Sequence, residues 1–280
     1  MANEIRQYLT LEELQNEMLS MLKVAGPWFK NHQIRYSLSD GSLLGAVRHE
    51  GFIPWDDDLD IYMPRTDYEK WLSMADLFKE ETGFGILSFR DGTYYFPFTK
   101  MVNPSIHAQE KRVDGVFESN LWIDVFPIDG IPDKEDEYEK LIRWRKRRIK
   151  MIDLSVAKNG SNKFRTLIKR VTQPVFNLVF NPIRLAKEID ERCKLRPFET
   201  ARRVACSVYG FTFAGKSIPR EGFEKIVMLP FGDTEQPCMS CWDEYLSKSY
   251  GDYMKLPPKE KRWHHPQKTW RVKEMEARND

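Results

Sequence analysis

The sequence is poor in the features that mark secreted and membrane-spanning proteins. Its 280 residues include only four cysteines, too few and too scattered for a disulfide scaffold, so reduced thiols are the simpler interpretation. The first residues, MANEIRQYLTLEEL, contain no apolar signal-peptide core, and the apolar runs are far shorter than the roughly 18–20 residues that span a bilayer. We therefore expect a cytoplasmic protein.

Two further shortages limit the classes of function. The net charge is only +2, so the chain as a whole offers no strong electrostatic reason to bind nucleic acid. Cys238 and Cys241 form a CxxC pair, but a zinc site needs about two more soft ligands, and none is paired nearby. Neither nucleic-acid binding nor a structural zinc site is expected.

Hydrophobic periodicity predicts alternating strands and helices. A helix is predicted over residues 10–30, where Thr10 and Glu13 form a capping box. The other predicted elements are strands at 34–38, 59–63 and 121–126, a hairpin around Asp91-Gly92, and helices at 43–48, 66–78, 134–157 and 242–250. Thr66 is predicted to cap its helix. Pro127 is predicted to end the strand at 121–126, because proline has no N–H to donate to a neighbouring strand.

The densest chemical signal lies in residues 39–63, where three aspartates alternate. If this stretch is extended, Asp56, Asp58 and Asp60 project from one face. Three like charges on one face repel each other, and the usual reason for such a cluster is a divalent cation; hard oxygen ligands suit Mg²⁺ or Mn²⁺. The alternative is an acidic surface loop, which would also account for Asp57. Against that alternative, Asp60 lies inside an apolar strand.

Two other segments extend this pattern. Gly41 and Ser42 join a predicted strand to a helix, where glycine permits close approach to a ligand and the helix N-terminus offers N–H groups to a phosphate. Asp124 is flanked by apolar residues in LWIDVFPID, and a strand placed beside residues 59–63 would bring it to the alternating aspartates. A buried aspartate is costly unless it is paired or metal-bound. The alternative for Asp124 is a hydrogen bond to a turn, the role predicted for Asp129.

The order of Gly-Ser, Asp-x-Asp and a third, apolar-flanked aspartate is typical of the nucleotidyltransferase superfamily. GSLLGAVRHEGFIPWDDDLDIYM closely resembles the LicD family, which includes bacterial phosphocholine transferases and, more distantly, the fukutin and fukutin-related ribitol-phosphate transferases. LWIDVFPIDG, LPFGDTEQPC and DEYLSKSYGDYMKLPP are similar to LicD segments too, so the resemblance extends over about residues 30–265, although 135–220 is not diagnostic. It implies an α/β fold in which a nucleotidyltransferase-type core, a mixed sheet with helices, covers residues 1–130. An appended helical region and a C-terminal segment at 131–280 would complete the site within one integrated domain.

The resemblance also implies an activity. Phosphocholine, or a related alcohol phosphate, would pass from CDP-choline or another CDP-alcohol to a glycan, and CMP would leave. The expected acceptor is a cell-surface polysaccharide such as teichoic acid or lipopolysaccharide. Choline and ribitol are not distinguished: an aromatic cage would suit the choline ammonium, and the sequence does not choose among the candidates Tyr94, Tyr95, Phe96, Phe98, Trp122 and Trp263.

The resemblance assigns roles to individual residues. Mg²⁺ or Mn²⁺ would be held by Asp56, Asp58, Asp60 and Asp124, of which Asp58, Asp60 and Asp124 are the expected catalytic residues. Asp124 or a second metal would activate the sugar hydroxyl, and such a base typically contributes about 10²–10⁴-fold. The donor phosphates would be bound by Gly41, Ser42, Arg48, Lys100 and His264, the cations as charge-assisted donors. The alternatives are a surface lysine for Lys100 and a solvated tail for His264.

A basic segment follows the core. Residues 140–150, KLIRWRKRRIK, carry seven basic residues and no acidic one, and residues 163–187 are basic and apolar together. Such a patch suits an anionic lipid surface, so we expect peripheral contact with the inner face of the membrane through 140–187 and a lipid-linked glycan acceptor. The alternative is a solvated helix face. Nucleic acid ranks below both, because the basic residues lack the spaced, exposed aromatics of single-strand binders.

Two other functions fit the same aspartates. A nucleotidyltransferase that uses an NTP on a small hydroxylated acceptor would release pyrophosphate, and the LicD-like segments after residue 230 count against it. A non-catalytic protein that binds glycans or membrane surfaces on the same fold would usually have lost its carboxylates. Asp58, Asp60 and Asp124 are all present.

Overall fold

A mixed sheet of eleven strands forms the centre of the computed structural model, which describes residues 5–112, 115–156, 172–174, 176–210, 217–262 and 267–273. The strands are β1 (Ile5–Tyr8), β2 (Ser37–Leu38), β3 (Asp60–Pro64), β4 (Gly85–Ser88), β5 (Thr99–Arg112), β6 (Gly115–Gly130), β7 (Arg203–Ala205), β8 (Ile218–Pro219), β9 (Ile226–Phe231), β10 (Thr234–Met239) and β11 (Gln267–Lys273). The helices used below are α1 (Leu11–Asn31), α2 (Asp40–His49), α3 (Arg65–Ser73), α4 (Ala75–Thr82), α5 (Glu135–Val156), α6 (Pro182–Cys193), α7 (Arg220–Glu224) and α8 (Trp242–Tyr250). The predicted α/β fold class is confirmed.

The order of the strands joins distant parts of the chain. The main path runs β1-β11-β5-β6-β3-β2-β10-β9, with β4 beside β5 and the short pair β7–β8 beside the end of β6. β3 and β6 are parallel, as are β2 and β10, whereas the other pairs are antiparallel. Strands from before and after residue 131 therefore lie in one sheet.

Local sequence signals explain the first helix. The Thr10 hydroxyl accepts the Glu13 N–H at 3.2 Å, and the Glu13 carboxylate accepts the Thr10 N–H at 2.7 Å, so the predicted capping box is confirmed. Residues at helical spacing, among them Leu14, Met18 and Leu22, are buried on the side facing the core. The capping box fixes where α1 begins, and the apolar stripe fixes which face packs on the core.

Two predicted boundaries are wrong. The helix expected over 66–78 is two helices, α3 and α4, and α3 begins at Arg65, so Thr66 lies inside it and is not its cap. The strand expected to stop at Pro127 continues to Gly130. β5 starts at Thr99, which pairs with Val125, so no residue of β5 faces Pro127 and its missing N–H costs no hydrogen bond on that side.

The end of β6 carries an ion pair in place of the predicted turn at Asp129. Arg65 donates from Nε and Nη2 to the two carboxylate oxygens of Asp129, both at 2.7 Å, and from Nη1 to Asp190 of α6 at 2.6 Å. Arg90 donates to Glu69 and to Asp190. A buried charge without a partner is costly, so these charged side chains pair with one another. The cluster links α3, β6 and α6.

Helices α5 and α6 run antiparallel beside the sheet. Arg196 lies 3.2 Å from Glu137, Arg148 lies 3.2 Å from Glu188, and the Ser155 hydroxyl donates to the Phe180 carbonyl at 2.8 Å, so the contacts run in opposite order along the two segments. In the described ranges of the chain, no helix combines the length and the apolar character needed to cross a membrane.

Candidate functional site

Three neighbouring strands bring charged residues into one row. In the parallel register of β3 and β6, Asp60 lies opposite Asp124, and in the antiparallel register of β5 and β6, Lys100 lies opposite Asp124. The placement of Asp124 beside the aspartate-bearing strand agrees with the sequence pattern. The row runs across the centre of the sheet, where the backbone positions are fixed by ladders on both sides of β6.

Buried and half-buried side chains alternate in the stretch before β3. Asp56, Asp58 and Asp60 are half-buried, whereas Asp57 and Leu59 between them are buried. The surface-loop interpretation of Asp57 is wrong, because its side chain is only 4% exposed. Period-two alternation places Asp57 on the inner face and presents the other three carboxylates together.

The neighbouring carboxylates raise the proton affinity of Asp60. The pKa of Asp60 is raised well above its ordinary value, first by burial and then by the negative charges of Asp58, Asp124, Asp40 and Asp56. A cation bound among these carboxylates would oppose this shift, because its positive charge favours the ionised form of Asp60.

The Gly-Ser pair lies in the first turn of α2 and touches the aspartates. Helix α2 begins at Asp40, earlier than predicted, so Gly41 and Ser42 belong to the helix itself. The Ser42 hydroxyl accepts the Asp60 N–H at 2.9 Å. A Cβ added to Gly41 would lie 2.7 Å from a carboxylate oxygen of Asp56, so any larger residue would displace that side chain. The N-terminal N–H groups of α2 therefore lie beside the carboxylates, an arrangement suited to a phosphate held between them and a metal.

Lys100 is buried at the site, and the surface-lysine alternative is wrong. Its side chain is 2% exposed, and its Nζ lies 3.2 Å from a carboxylate oxygen of Asp124. The same ammonium lies 3.6 Å above the ring of Trp122 and 5.3 Å from the ring centre of Tyr94. The two rings and the ion pair together hold the Lys100 ammonium beside the Asp124 carboxylate.

Replacing Lys100 tests this contact. Lys100→Met is expected to lower the melting temperature by about 4–8 °C, because it removes the buried ammonium that lies 3.2 Å from the Asp124 carboxylate, at a cost of about 2 kcal/mol. Differential scanning calorimetry of Lys100→Met, with the charge-conserving Lys100→Arg as the control, measures the effect. Equal melting temperatures for wild type and Lys100→Met would show that the ion pair does not support the fold.

Asp40 is a site residue that the sequence analysis missed. Its backbone adopts the left-handed conformation, with φ of 43°. Tyr62 of β3 donates its hydroxyl to one carboxylate oxygen at 2.8 Å, and Tyr245 of α8 donates to the other at 2.7 Å. Burial, followed by the Asp40 charge, raises the pKa of both tyrosines well above the ordinary value, so both remain hydroxyl donors.

A second tyrosine of α8 lies near the carboxylates. The pKa of Tyr250 is raised well above its ordinary value, first by burial and then by the charges of Asp40, Asp60, Asp56 and Asp58. Helix α8 therefore contributes hydroxyl groups to the site. The segment DEYLSKSYGDYM contains both Tyr245 and Tyr250, but nothing in its spacing indicates that either faces the aspartates.

Arg48 and His49 lie at the other end of α2. Arg48 donates from Nη1 to the Tyr253 carbonyl at 2.6 Å and from Nε to the His49 ring at 2.9 Å. Burial, with the Arg48 charge as the second cause, lowers the pKa of His49. The structure thus places Arg48 against the segment after α8, and its contact with a donor phosphate stays a prediction. His264 lies outside the described residues, as does Trp263.

Most of the aromatic candidates for a choline cage belong to the core. Tyr94, Phe96 and Phe98 are buried and pack against one another with ring centres 5.2–6.2 Å apart. Trp122 and Tyr94 already face the Lys100 ammonium. The aromatic surface that a choline headgroup would need is therefore occupied by Lys100 and by neighbouring rings at these positions.

The donor set is chemically suited to a hard divalent cation, since it consists of carboxylate oxygens. Among the described residues, however, no group of three His, Cys, Asp or Glu side chains already has a metal-binding arrangement. Asp124 is held by Lys100, and Asp40 by two tyrosines. Cation binding by Asp56, Asp58, Asp60 and Asp124 would therefore require these side chains to turn towards a common point.

The fold and the site together define an α/β protein with a row of charged residues across the centre of its sheet. Residues 33–153 match the family model described as LicD/FKTN/FKRP, nucleotidyltransferase domain. The lipopolysaccharide cholinephosphotransferase LicD of Haemophilus influenzae is 28% identical over 270 residues, which cover 94% of this chain and 98% of that protein. An uncharacterised protein of Rickettsia typhi is 32% identical over 77 residues, 28% of this chain and 25% of that protein. The chain thus resembles the LicD family, through this domain match and through the Haemophilus protein.

Proposed function

We propose that this protein transfers phosphocholine, or a related alcohol phosphate, from CDP-choline or another CDP-alcohol to a cell-surface glycan, with release of CMP. The observation that carries the proposal is the register that sets Asp60 opposite Asp124, beside the first turn of α2. The similarity to the Haemophilus lipopolysaccharide cholinephosphotransferase over nearly its whole length supports choline as the alcohol and lipopolysaccharide as the acceptor, in preference to teichoic acid.

The proposed roles of the residues follow from their positions. Asp56, Asp58, Asp60 and Asp124 would hold Mg²⁺ or Mn²⁺, which when bound would neutralise charge on the donor pyrophosphate. The N–H groups around Gly41 and Ser42 would bind donor phosphate oxygens at the positive end of α2. Asp124, positioned by Lys100, would accept the proton of the attacking sugar hydroxyl. The new bond joins that oxygen to the phosphorus of phosphocholine, and the bond from this phosphorus to the CMP oxygen breaks.

The test measures CMP release from CDP-choline by the full chain, with Mg²⁺ or with EDTA, and with or without purified lipopolysaccharide. Parallel reactions with CDP-ribitol, CDP-glycerol and teichoic acid identify the alcohol and the acceptor. We expect CMP release that requires the metal, the acceptor and Asp60, with Asp60→Ala inactive. The matched control is Asp76→Ala, which removes an exposed carboxylate on α4 and should leave the rate unchanged.

Two outcomes would contradict the proposal. Release of pyrophosphate from an NTP, without CMP release from any CDP-alcohol, would indicate the nucleotidyltransferase alternative. Absence of both products with every donor, from a protein that melts cooperatively, would leave a non-catalytic binding function.

A further inference from the structure

Large apolar side chains are exposed at both ends of the α5–α6 pair. Leu178 is 81% exposed and Leu195 is 72% exposed. Leu154 of α5 and Val179 are exposed as well, and the hydrogen bond from Ser155 to Phe180 places both near the same end of the pair. Single exposed leucines are common on soluble proteins, but a group on one helical pair is the kind of surface that usually contacts a partner.

Between these ends lies an open groove with an aromatic floor. Its lining includes Trp144 of α5, Arg184 and Lys187 of α6, and Leu195, which follows α6. The guanidinium of Arg148 lies 4.0 Å from the centre of the Trp144 ring, and that of Arg192 lies 4.5 Å from it. The lining also contains Glu188 and Glu191, which pair with Arg148 and Lys194, so the groove combines apolar side chains with a charged, mainly basic set.

Apart from the acidic residues 135, 136, 137 and 139 at the start of α5, the same helices concentrate positive charge. Residues 140–156 and 172–196 contain twelve Lys and Arg but only four Asp and Glu, whereas the whole chain carries a net charge of +2. One of the twelve, Arg145, is buried and donates to the Gly210 carbonyl, so it does not contribute to the outer surface. Arg148 and Lys194 are paired with glutamates of α6, whereas Arg147, Lys150 and Lys187 are exposed basic residues on this pair. The rest of the chain must therefore be acidic on balance, so the positive charge is local.

We propose that the outer face of α5 and α6, with the exposed residues 178 and 179, docks on an anionic lipid bilayer. The basic residues would lie at the level of the headgroups while the exposed leucines and Val179 enter the boundary with the acyl chains. The leucines decide between a lipid surface and nucleic acid, because phosphate contacts alone give no reason to expose several large aliphatic side chains. This docking surface is separate from the carboxylate site and does not depend on the proposed transfer reaction.

The test is flotation of the full chain with vesicles of phosphatidylethanolamine and phosphatidylglycerol, compared with neutral phosphatidylcholine vesicles, at low and high salt. We expect binding to the anionic vesicles only, weakened by salt. Arg147→Glu with Lys150→Glu should weaken binding more than tenfold, since each basic residue near an anionic surface contributes roughly fivefold. Leu178→Asp with Val179→Asp should weaken it comparably.

Matched controls lie on α4, where Leu77 and Lys79 are exposed. Leu77→Asp and Lys79→Glu make the same chemical changes on another surface and should bind vesicles as the wild type does. Melting curves establish that every variant is folded. CMP release with a water-soluble, delipidated acceptor should be unchanged in the α5 and 178–179 variants, which separates failure of docking from failure of the proposed activity.

Three results would overturn the proposal. The first is equal binding to neutral and anionic vesicles, or to neither. The second is anionic binding that the 178–179 variant and the Arg147–Lys150 variant leave unchanged. The third is binding of duplex DNA or RNA as tight as vesicle binding and unaffected by Leu178→Asp, which would assign the basic face to nucleic acid.

Discussion

Asp60→Asn is expected to lower the rate of CMP release by about 10²–10⁴-fold, because the carboxylate would be one of the groups that hold the cation opposite the donor phosphates. The same change should raise the melting temperature of the metal-free protein by a few degrees, at about 2–4 °C for each kcal/mol. The pKa of Asp60 is raised by burial and by four neighbouring carboxylates, so its ionised form opposes folding and a neutral amide of the same shape removes that opposition.

Calorimetry in EDTA and then in Mg²⁺, together with the CMP assay, measures both effects. Mg²⁺ is expected to raise the melting temperature of the wild type and to leave that of a variant with Asp58→Asn and Asp60→Asn unmoved. Asp76→Asn on α4 is the matched control, with wild-type behaviour in both assays. A variant Asp60→Asn that is inactive and also less stable in EDTA would indicate that Asp60 supports the fold and that its neighbours do not repel it.

Asp129→Ala is expected to destabilise the protein by about 3–5 kcal/mol, which corresponds to a fall of about 6–20 °C in melting temperature. Asp129 is fully buried and accepts two hydrogen bonds from Arg65 at 2.7 Å. Removing the carboxylate leaves the Arg65 guanidinium buried with only Asp190 and Glu69 to compensate it. The destabilisation is large because the variant leaves one charge of a buried pair behind; it does not measure how much the intact pair contributes to stability.

Urea or thermal denaturation followed by circular dichroism gives the free energy of unfolding. The control is Asp133→Ala, four residues further along the chain, where the carboxylate is exposed and the expected change is within about 0.5 kcal/mol. Similar small effects for both variants would mean that Arg65 finds enough compensation from its other partners, and that the cluster linking α3, β6 and α6 is not a main support of the fold.

The core of the candidate site was predictable because its signals are local. The alternation of Asp56, Asp58 and Asp60 can be recognised within five residues. Asp124 lies between apolar residues in a predicted strand, and a buried carboxylate there needs a charged partner. The burial of Asp57 was not predictable, because three consecutive aspartates do not show which of them points towards the core.

The rest of the site depends on contacts between distant residues. FPFTKMVNP does not show that Lys100 faces Asp124, because that contact follows from the register of β5 and β6. No local signal marks Asp40, because the packing of α8 on α2 is what brings Tyr245 to it. The order of β2 and β10 was likewise hidden, because Leu38 and Cys238 pair across most of the chain.

The hydrogen bond from Tyr245 to Asp40 has a consequence for the order of events on the ribosome. The aspartates at 56–60 and 124 emerge before Tyr245, whose hydroxyl holds the left-handed start of α2 and which lies 205 residues after Asp40. Strand β10, which pairs with β2, is also late. A nascent chain that has exposed residues only as far as Asp124 therefore carries the acidic cluster without the strand and the tyrosine that complete it, and it can acquire a finished site only once Tyr245 has emerged.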